Sequence, residues 1–384
     1  MMKKKIAYII NHISFFDSHI SPIAIKASKK FNIEVFSGIS SSLQMDKIST
    51  KNLKKKNIKF TKSNFHSSGE NLFTEFLGFL QMLFAVKKFN PDLIHCATPK
   101  GILYGGLIAR ILNIKSLVIF NTGMGFLYSN KLSFFQKILL KIYSLLKIFI
   151  FKHKNKKIVI ENNHDLNFLK KKFNLHRNNF KLIKAGSGVD LNIFHRINIS
   201  KNKIVILPAR VLKEKGILEF VEASKILKSK YSDWKFYVVG STDYMKKSSF
   251  TKLELNQLKN KKYIRFLGYQ KNIIKIYKKS AIVCLPSYRE GLSKSLLEAS
   301  SLGIPIVTTN AVGCKDAIIP GVSGELCKTR DVNSLVNKLE LLIKNKKKRL
   351  LYGKNARKIA EKNYGIEIVI RKNVNTYLEL IGNE

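Results

Sequence analysis

Short apolar runs alternate with longer amphipathic stretches along this chain, and that alternation restricts the fold more than any other feature. Ile6–Ile10, Ile33–Phe36, Leu93–Cys96, Ser116–Phe120, Lys157–Glu161 and Lys181–Ile183 read as buried strands. Ser21–Lys30, Ile102–Leu112 and His164–Phe173 carry helical spacing between them. A second series starts near residue 203, with strands at Ile204–Leu207, Lys235–Val239, Tyr263–Phe266, Ile282–Leu285 and Ile304–Thr308. Two basic helices follow it, Val332–Lys344 and Lys347–Tyr364. Strand followed by helix, repeated, requires parallel sheets with helices on both faces. Two such series, broken around residues 192–202, predict an α/β chain of two doubly wound domains facing a central cleft. Ligands of such sheets bind beyond the carboxyl ends of the strands.

Composition narrows the partners. Lys+Arg is 70 against Asp+Glu 25, a formal net charge of +45 over 384 residues. Such an excess fits a polyanionic partner, whether nucleic acid, an anionic membrane face or a phosphorylated substrate. It also fits a chain that uses lysine everywhere, as in Lys344-Asn345-Lys346-Lys347-Lys348. Cys96, Cys284, Cys314 and Cys327 are too dispersed to signal a zinc site or a disulfide framework, which suits a reducing cytoplasm. The apolar run after Met1-Met2-Lys3-Lys4-Lys5 is shorter than a signal-peptide core. Leu72–Val86 and Ile138–Phe151 are the most apolar stretches, but charged and polar residues keep both short of the ~20 residues of a spanning helix.

Two loops carry chemistry. Pro208-Ala209-Arg210-Val211-Leu212-Lys213-Glu214-Lys215-Gly216 joins a strand to a helix, so Arg210 and Lys215 stand at a strand's carboxyl end beside a helix N-terminus. Two cations and a helix dipole there form a diphosphate clamp, or else two surface cations of a lysine-rich chain. Pro286-Ser287-Tyr288-Arg289-Glu290-Gly291-Leu292-Ser293-Lys294-Ser295-Leu296-Leu297-Glu298 has the same placement. Glu290 falls in the loop and Glu298 one turn into the helix. Carboxylates accept hydrogen bonds from vicinal hydroxyls, so the pair suits a sugar and a ribose. Ser295-x-x-Glu298 also reads as a capping box, and Glu290 as a solvated loop charge. Gly291 lets a backbone N–H approach a phosphate closely. No Asp-x-Asp signals a carboxylate-held Mg²⁺ or Mn²⁺, and neither a P-loop nor a dinucleotide turn is present.

Arg210…Lys215-Gly216 followed by Glu290-x7-Glu298 resembles the donor site of family 4 retaining glycosyltransferases of GT-B architecture. The likeness continues through Gly303–Asn310, Gly313-Cys314-Lys315-Asp316, Gly321-x-x-Gly324 and Arg330-Asp331. Phe15-Phe16-x-Ser18-His19-x-x-Pro22, Thr98-Pro99-Lys100, Gly123-x-Gly125-Phe126, Glu161-Asn162-Asn163-x-Asp165 and Gly186-Ser187-Gly188-Val189-Asp190 resemble the bacterial subgroup that builds capsule, O-antigen and lipid-linked oligosaccharides. The resemblance implies two Rossmann-like domains, an acceptor domain over 1–195 and a donor domain over 196–365, with a helix over 366–384 crossing back. It implies that Arg210 and Lys215 hold the donor diphosphate and that Glu290, with Gly291, Leu292 and Ser293, surrounds the donor sugar. Glu298 would hold the ribose, and Tyr263–Tyr269 with Gly268 would lie along the base. His19, Lys100, Thr122 and Gly123 fall on the acceptor side. Thr122-Gly123 stands where many relatives carry His-Gly, and Asn11–Ser18 replaces the glycine-rich first loop of the wider family.

The implied reaction moves a hexose or N-acetylhexosamine, best matched to a UDP-sugar, onto a polyprenyl-diphosphate-linked saccharide. It needs neither metal nor resident cofactor, because protein cations and a helix N-terminus stabilise the departing diphosphate. The expected location is peripheral, on the inner face of the cytoplasmic membrane. Lys131–Lys157 supports this independently by interleaving Phe, Leu and Ile with Lys137, Lys141, Lys147, Lys152 and Lys154, a pattern suited to an anionic membrane surface or to an ordinary helix with a solvated lysine face. A sugar-nucleotide epimerase or hydrolase on the same fold is the near alternative. A nucleic-acid-binding protein is the remote one, and it leaves Glu290 and Glu298 unexplained.

Overall fold

The computed structural model describes residues 3–40, 42–66, 71–123, 134–242 and 248–382. The chain forms two compact units, one of Met1–Ile183 with Val369–Glu384, the other of Lys184–Ile368. The division falls ahead of the 195/196 boundary that the resemblance implies. Segment 184–195 belongs with the second unit because Val189 pairs with Gly365 and its N–H donates to the Tyr364 carbonyl at 2.9 Å.

The first unit holds seven parallel strands: β1 (Lys5–His12), β2 (Asn32–Ile39), β3 (Lys59–His66), β4 (Leu93–Ala97), β5 (Ser116–Asn121), β6 (Lys156–Ile160) and β7 (Phe180–Leu182). They lie in the order β3-β2-β1-β4-β5-β6-β7. The strand order therefore reverses at β1, which pairs Ile9 with Phe36 on one side and with Cys96 on the other. β4 and β5 are buried along their whole length, as the continuous apolar runs require of a doubly covered sheet. The C-terminal helix Ile366–Ile381 enters this unit, where buried Tyr377 meets Tyr8 Oη at 3.3 Å and His95 Nδ1 at 2.7 Å.

The second unit holds β8 (Ile204–Pro208), β9 (Lys235–Val239), β10 (Arg265–Phe266), β11 (Ile282–Leu285), β12 (Ile306–Thr309) and β13 (Gly324–Cys327), all parallel, in the order β10-β9-β8-β11-β12-β13. Its reversal lies at β8, between β9 and β11. Phe220, Phe236, Trp234 and Tyr277 fill the core around these strands.

Three elements depart from the expected pattern. β3 is an edge strand whose sequence, Lys-Phe-Thr-Lys-Ser-Asn-Phe-His, has little apolar signal because it is covered on one side only. β13, the other edge strand the pattern misses, lies at Gly324, in a segment that reads as turns. Asn11–Ser18 is not a loop. His12 caps a short helix Ile13–Phe15 that runs into a π-helical turn Phe16–Ile20 and then helix Ser21–Ala27, with Ile13, Phe16 and Ile20 buried.

Candidate active site

At the reversal point of the second unit, the loops after β8 and β11 are built against each other. After β8 the chain makes a 3₁₀ turn, Lys213–Lys215, and enters helix Ile217–Lys230 through Gly216 at φ +71°. A Cβ on Gly216 would stand 2.2 Å from the Pro286 carbonyl oxygen, so only glycine allows this approach. The Glu214 carbonyl accepts from the Tyr288 N–H at 2.9 Å and from Ser287 Oγ at 3.1 Å. Across the joint, Lys215 Nζ meets Glu290 Oε1 at 2.5 Å, with both side chains largely shielded from solvent. Arg210 stands exposed on the β8 loop.

The β11 loop is fixed from the other side as well. Glu290 N–H donates to the Val312 carbonyl at 3.0 Å, and Thr309 Oγ1 donates to the Ser287 carbonyl at 2.5 Å. Gly313, at φ +77°, passes so close that a Cβ there would lie 2.2 Å from the Glu290 carbonyl oxygen. Behind Lys215, Tyr288 Oη donates to Glu219 Oε1 at 2.6 Å, while the Arg330 guanidinium lies 4.5 Å over the Tyr288 ring. Tyr288, Glu219 and Arg330 come from three separate stretches, and no spacing in the sequence links them.

Helix Lys294–Leu302 starts one residue after Ser293, which is its N-cap. Ser295 is thus inside the helix, and the capping-box reading of Ser295 and Glu298 is wrong. Glu298 is instead reached by Tyr277 Oη at 3.2 Å, and burial raises the pKa of its carboxyl. Leu292 and Ser293 are buried beneath the loop. Gly268 is exposed at φ +65° with open space where a Cβ would go, so its glycine serves backbone conformation rather than close approach. Its carbonyl accepts from Gly240 N–H at 2.9 Å, beside the β8 loop, where a Cβ on Gly240 would lie 1.9 Å from the Ala209 carbonyl oxygen.

In the first unit the corresponding strand ends are those of β1 and β4. Thr98 Oγ1 meets Asn11 Oδ1 at 2.6 Å and the Asn11 N–H at 3.0 Å, and Gly101 N–H donates to Asn11 Oδ1 at 2.9 Å. Lys100 turns to Glu75 Oε2 at 2.8 Å and to the His66 carbonyl at 2.7 Å. Its charge is neutralised by a carboxylate that also accepts from Tyr104 Oη at 2.6 Å. His19 lies in the π-helical turn, stacked on Phe15 at 4.5 Å. Thr122 and Gly123, the latter at φ +125°, follow β5, whereas Gly125 and Phe126 lie outside the described residues.

The glycosyl transferases group 1 family model matches residues 189–359, and the glycosyl transferase 4-like model matches residues 5–163. The chain is 29% identical over 349 residues to the Campylobacter jejuni N,N'-diacetylbacillosaminyl-diphospho-undecaprenol alpha-1,3-N-acetylgalactosaminyltransferase, covering 87% of this chain and 89% of that one. It is 25% identical over 314 residues to the Escherichia coli UDP-Gal:alpha-D-GlcNAc-diphosphoundecaprenol alpha-1,3-galactosyltransferase, covering 78% of each. Its fold is shared with Anabaena HepE, solved in complex with UDP-glucose, at a TM-score of 0.76 and 17% identity over 98% of this chain and 99% of that one. With family models over both halves and the two reversal points in place, the chain belongs to the family 4 glycosyltransferases and is a glycosyltransferase of two-domain GT-B architecture.

Proposed function

We propose that this enzyme moves a hexose or N-acetylhexosamine from a UDP-sugar onto a polyprenyl-diphosphate-linked saccharide, with retention at the transferred carbon, in assembly of a bacterial surface glycan. The observation that carries the reading is the Lys215–Glu290 pair at the reversal point of the second unit. Without donor, each charge satisfies the other. A diphosphate bound at Arg210 and the Ile217 helix N-terminus draws the Lys215 ammonium, which has three donors to share, and leaves Glu290 to the sugar. Negative charge builds on the departing diphosphate as the glycosidic bond breaks, and preorganised cations stabilise it most at that moment. Glu290 orients the sugar and faces the positive charge developing on its ring. Gly291, Leu292 and Ser293 shape the backbone around that sugar, Glu298 accepts from the ribose hydroxyls, and Gly268 borders the base. Protein cations take the place of a metal.

The acceptor reading assigns the first unit a lipid-linked substrate, with His19, Lys100, Thr122 and Gly123 around its sugar. Helix Leu72–Phe89 exposes Leu72, Phe73, Phe76, Leu77 and Phe84, and helix Phe134–Phe151 exposes Ile138, Ile142, Leu145, Ile148 and Phe149. Helix Pro99–Ile111 joins them, with Tyr104 against Phe79 at 5.4 Å and Arg110 over Phe149 at 4.8 Å. Exposed apolar patches of this kind mark interaction sites. Exposed Lys87, Lys88, Lys137, Lys141 and Lys152 accompany them, which favours an anionic membrane surface. Lys147 does not belong to a solvated lysine face. It is buried over the Tyr143 ring, and desolvation lowers its pKa to about 8. No helix among the described residues is long and apolar enough to cross a membrane, so the attachment proposed is peripheral, on the inner face of the cytoplasmic membrane. The deciding measurement is UDP release from a panel of UDP-sugars with and without N-acetylglucosaminyl-diphospho-undecaprenol or the diacetylbacillosaminyl analogue, followed by the anomeric configuration of the product. Acceptor-dependent release with retention supports the reading. Equal release without acceptor supports a hydrolase or epimerase.

A further inference from the structure

An open cavity of about 590 Å³ lies in the first unit between the carboxyl end of β2 and helix Leu43–Lys55, within the size range of small-molecule sites. Asp46 and Thr50 stand one turn apart on that helix and both line the cavity. Asp46 is 3% exposed. Its Oδ2 accepts from the Ser40 N–H at 3.2 Å and from Lys62 Nζ, on β3, at 3.4 Å. Its Oδ1 is buried with no hydrogen-bond partner, and so is Thr50 Oγ1. Buried polar atoms are normally paired, and a buried carboxylate oxygen left without a donor is costly. Around the same cavity stand Lys47, Lys51, Lys54 and Lys62. The first three recur at helical spacing, are exposed, and have no carboxylate partner among the described residues. The cavity therefore sets one buried carboxylate, with an oxygen awaiting a donor, beneath four ammonium groups.

That arrangement sorts ligands by their chemistry. A bare anion satisfies the lysines but meets the Asp46 carboxylate at the buried end, where like charges repel. A metal cation suits Asp46 but is repelled by the lysines. A neutral sugar satisfies Asp46 and leaves the ammonium groups unanswered. A nucleotide base finds no ring to stack on, because Ile39 is the one apolar side chain of the lining. The ligand that answers every group carries hydroxyls at one end and a phosphate at the other. We propose that this cavity binds a glycosyl phosphate. A sugar hydroxyl donates to Asp46 Oδ1, Thr50 Oγ1 bonds a second sugar oxygen, and Lys47, Lys51 and Lys54 hold the phosphate. Two sources present this chemistry, a soluble sugar phosphate and the glycosyl diphosphate head of a lipid-linked acceptor. The binding stands apart from the transfer reading above, and only the lipid-linked source rests on it.

Calorimetry without donor, comparing N-acetylglucosamine 1-phosphate with inorganic phosphate, tests the site. The wild type is expected to bind the sugar phosphate about tenfold more tightly than inorganic phosphate, the scale of one hydrogen bond to a charged group. Asp46→Asn removes both the charged acceptor and the repulsion, so sugar-phosphate binding should weaken, phosphate binding should strengthen, and the preference should collapse toward parity. Thr50→Val should weaken the sugar phosphate severalfold and leave inorganic phosphate unchanged. Lys51→Gln with Lys54→Gln, at exposed positions, should weaken both probes about tenfold and melt like the wild type. Should Asp46→Asn melt early because Ser40 loses its partner, the threonine and lysine variants still decide. The source is read from transfer kinetics. If the lysine pair raises the KM for N-acetylglucosaminyl-diphospho-undecaprenol about tenfold and the soluble sugar phosphate competes with that acceptor, the cavity holds the acceptor's head. An unchanged KM beside weakened sugar-phosphate binding assigns the cavity to a soluble ligand. No binding of the sugar phosphate, equal wild-type affinity for the two probes, or sugar-phosphate affinity unchanged in both Thr50→Val and the lysine pair overturns the site. Absence of acceptor-dependent UDP release overturns the transfer reading alone, since the calorimetry needs no transfer.

Discussion

The second unit joins the loops after β8 and β11 through a charge pair, and the first unit joins the ends of β1 and β4 through neutral hydrogen bonds. In the second, Lys215 and Glu290 bridge the loops after β8 and β11, and Gly216 and Gly313 bring backbone against backbone around them. In the first, Asn11 near the end of β1 bonds to Thr98 just after β4, while Lys100 close by is neutralised by Glu75. A site whose charges cancel locally can receive a polyanion by exchanging partners. In the first unit the lysine beside the strand ends is already held by a carboxylate, so the two units offer different chemistry to a ligand. The shared doubly wound frame therefore does not dictate the ligand.

The largest effect is expected where charge is exchanged. Lys215→Ala should lower kcat/KM by about 2–4 kcal/mol of transition-state stabilisation, the range for removing a preorganised contact to developing charge. Glu290→Gln should lower kcat more than donor affinity, because its partner charge appears only as the sugar ring becomes cationic. Activity should be unaffected by a chelator. Measured turnover beside calorimetric donor Kd checks all three, and inactivation by chelator with recovery on adding Mn²⁺ would break the contrast in favour of a metal.

Glu298 gives the next effect, and its two consequences have opposite signs. Burial raises its pKa, so the carboxylate form costs stability in the folded chain above its unfolded pKa, and that cost vanishes when the group is protonated at lower pH. Glu298→Gln should therefore leave the melting temperature unchanged or raise it. Donor affinity should fall by about 1.5–3 kcal/mol, the worth of a hydrogen bond to a charged group. A variant that melts earlier and binds donor normally would make Glu298 a structural partner of Tyr277 alone.

The first unit answers with a pH effect in its core. His95 is fully buried against Tyr377, and desolvation lowers its pKa to about 3. The unfolded chain takes up this proton near pH 6.5 and the folded chain does not. Its contribution is thus fully present above pH 6.5 and is lost as pH falls toward 3, by up to about 1.4 kcal/mol per pH unit. Denaturant midpoints of the wild type and His95→Phe between pH 7 and 4 should converge as pH falls, and parallel curves would assign the acid sensitivity elsewhere.

Much of this contrast was legible in the sequence because the chemistry follows the chain. Strand spacing puts Arg210, Lys215 and Glu290 in the loops after β8 and β11 and Glu298 in the helix that follows, while their roles came only with the family resemblance. Edge strand β3 escaped because its exposed positions leave a weak apolar signal, and β13 because its four residues include a glycine and a glutamate in a segment that reads as turns. The contacts that position the charges escaped for a different reason. Tyr277 reaches Glu298, Arg330 covers Tyr288 and Glu75 neutralises Lys100 from elements far away in sequence, and no local pattern encodes such meetings. The helix start at His12 escaped because Asn11–Ser18 reads as loop until the buried Ile13 and Phe16 show a helix beginning there.

The smallest effect on the fold should be the most informative about the first unit. Phe76, Phe84, Ile142 and Leu145 are exposed at 58%, 65%, 49% and 59%, so replacing them by serine removes no core packing. Surface changes of this kind normally stay within about 0.5 kcal/mol of wild-type stability. If the helix layer only covers the sheet, Phe76→Ser with Phe84→Ser, or Ile142→Ser with Leu145→Ser, should leave vesicle binding and turnover alone. If it meets lipid, each pair should weaken co-sedimentation with anionic vesicles and turnover on undecaprenyl-linked acceptor, yet leave UDP binding intact. Added salt should weaken the wild type too, since exposed lysines are screened within about 8 Å at physiological ionic strength. The apolar part of the binding should survive that salt in the wild type and disappear in the serine variants. Equal binding of wild type and variants to neutral and anionic vesicles alike would remove the membrane from the first unit and leave its apolar helices to another partner.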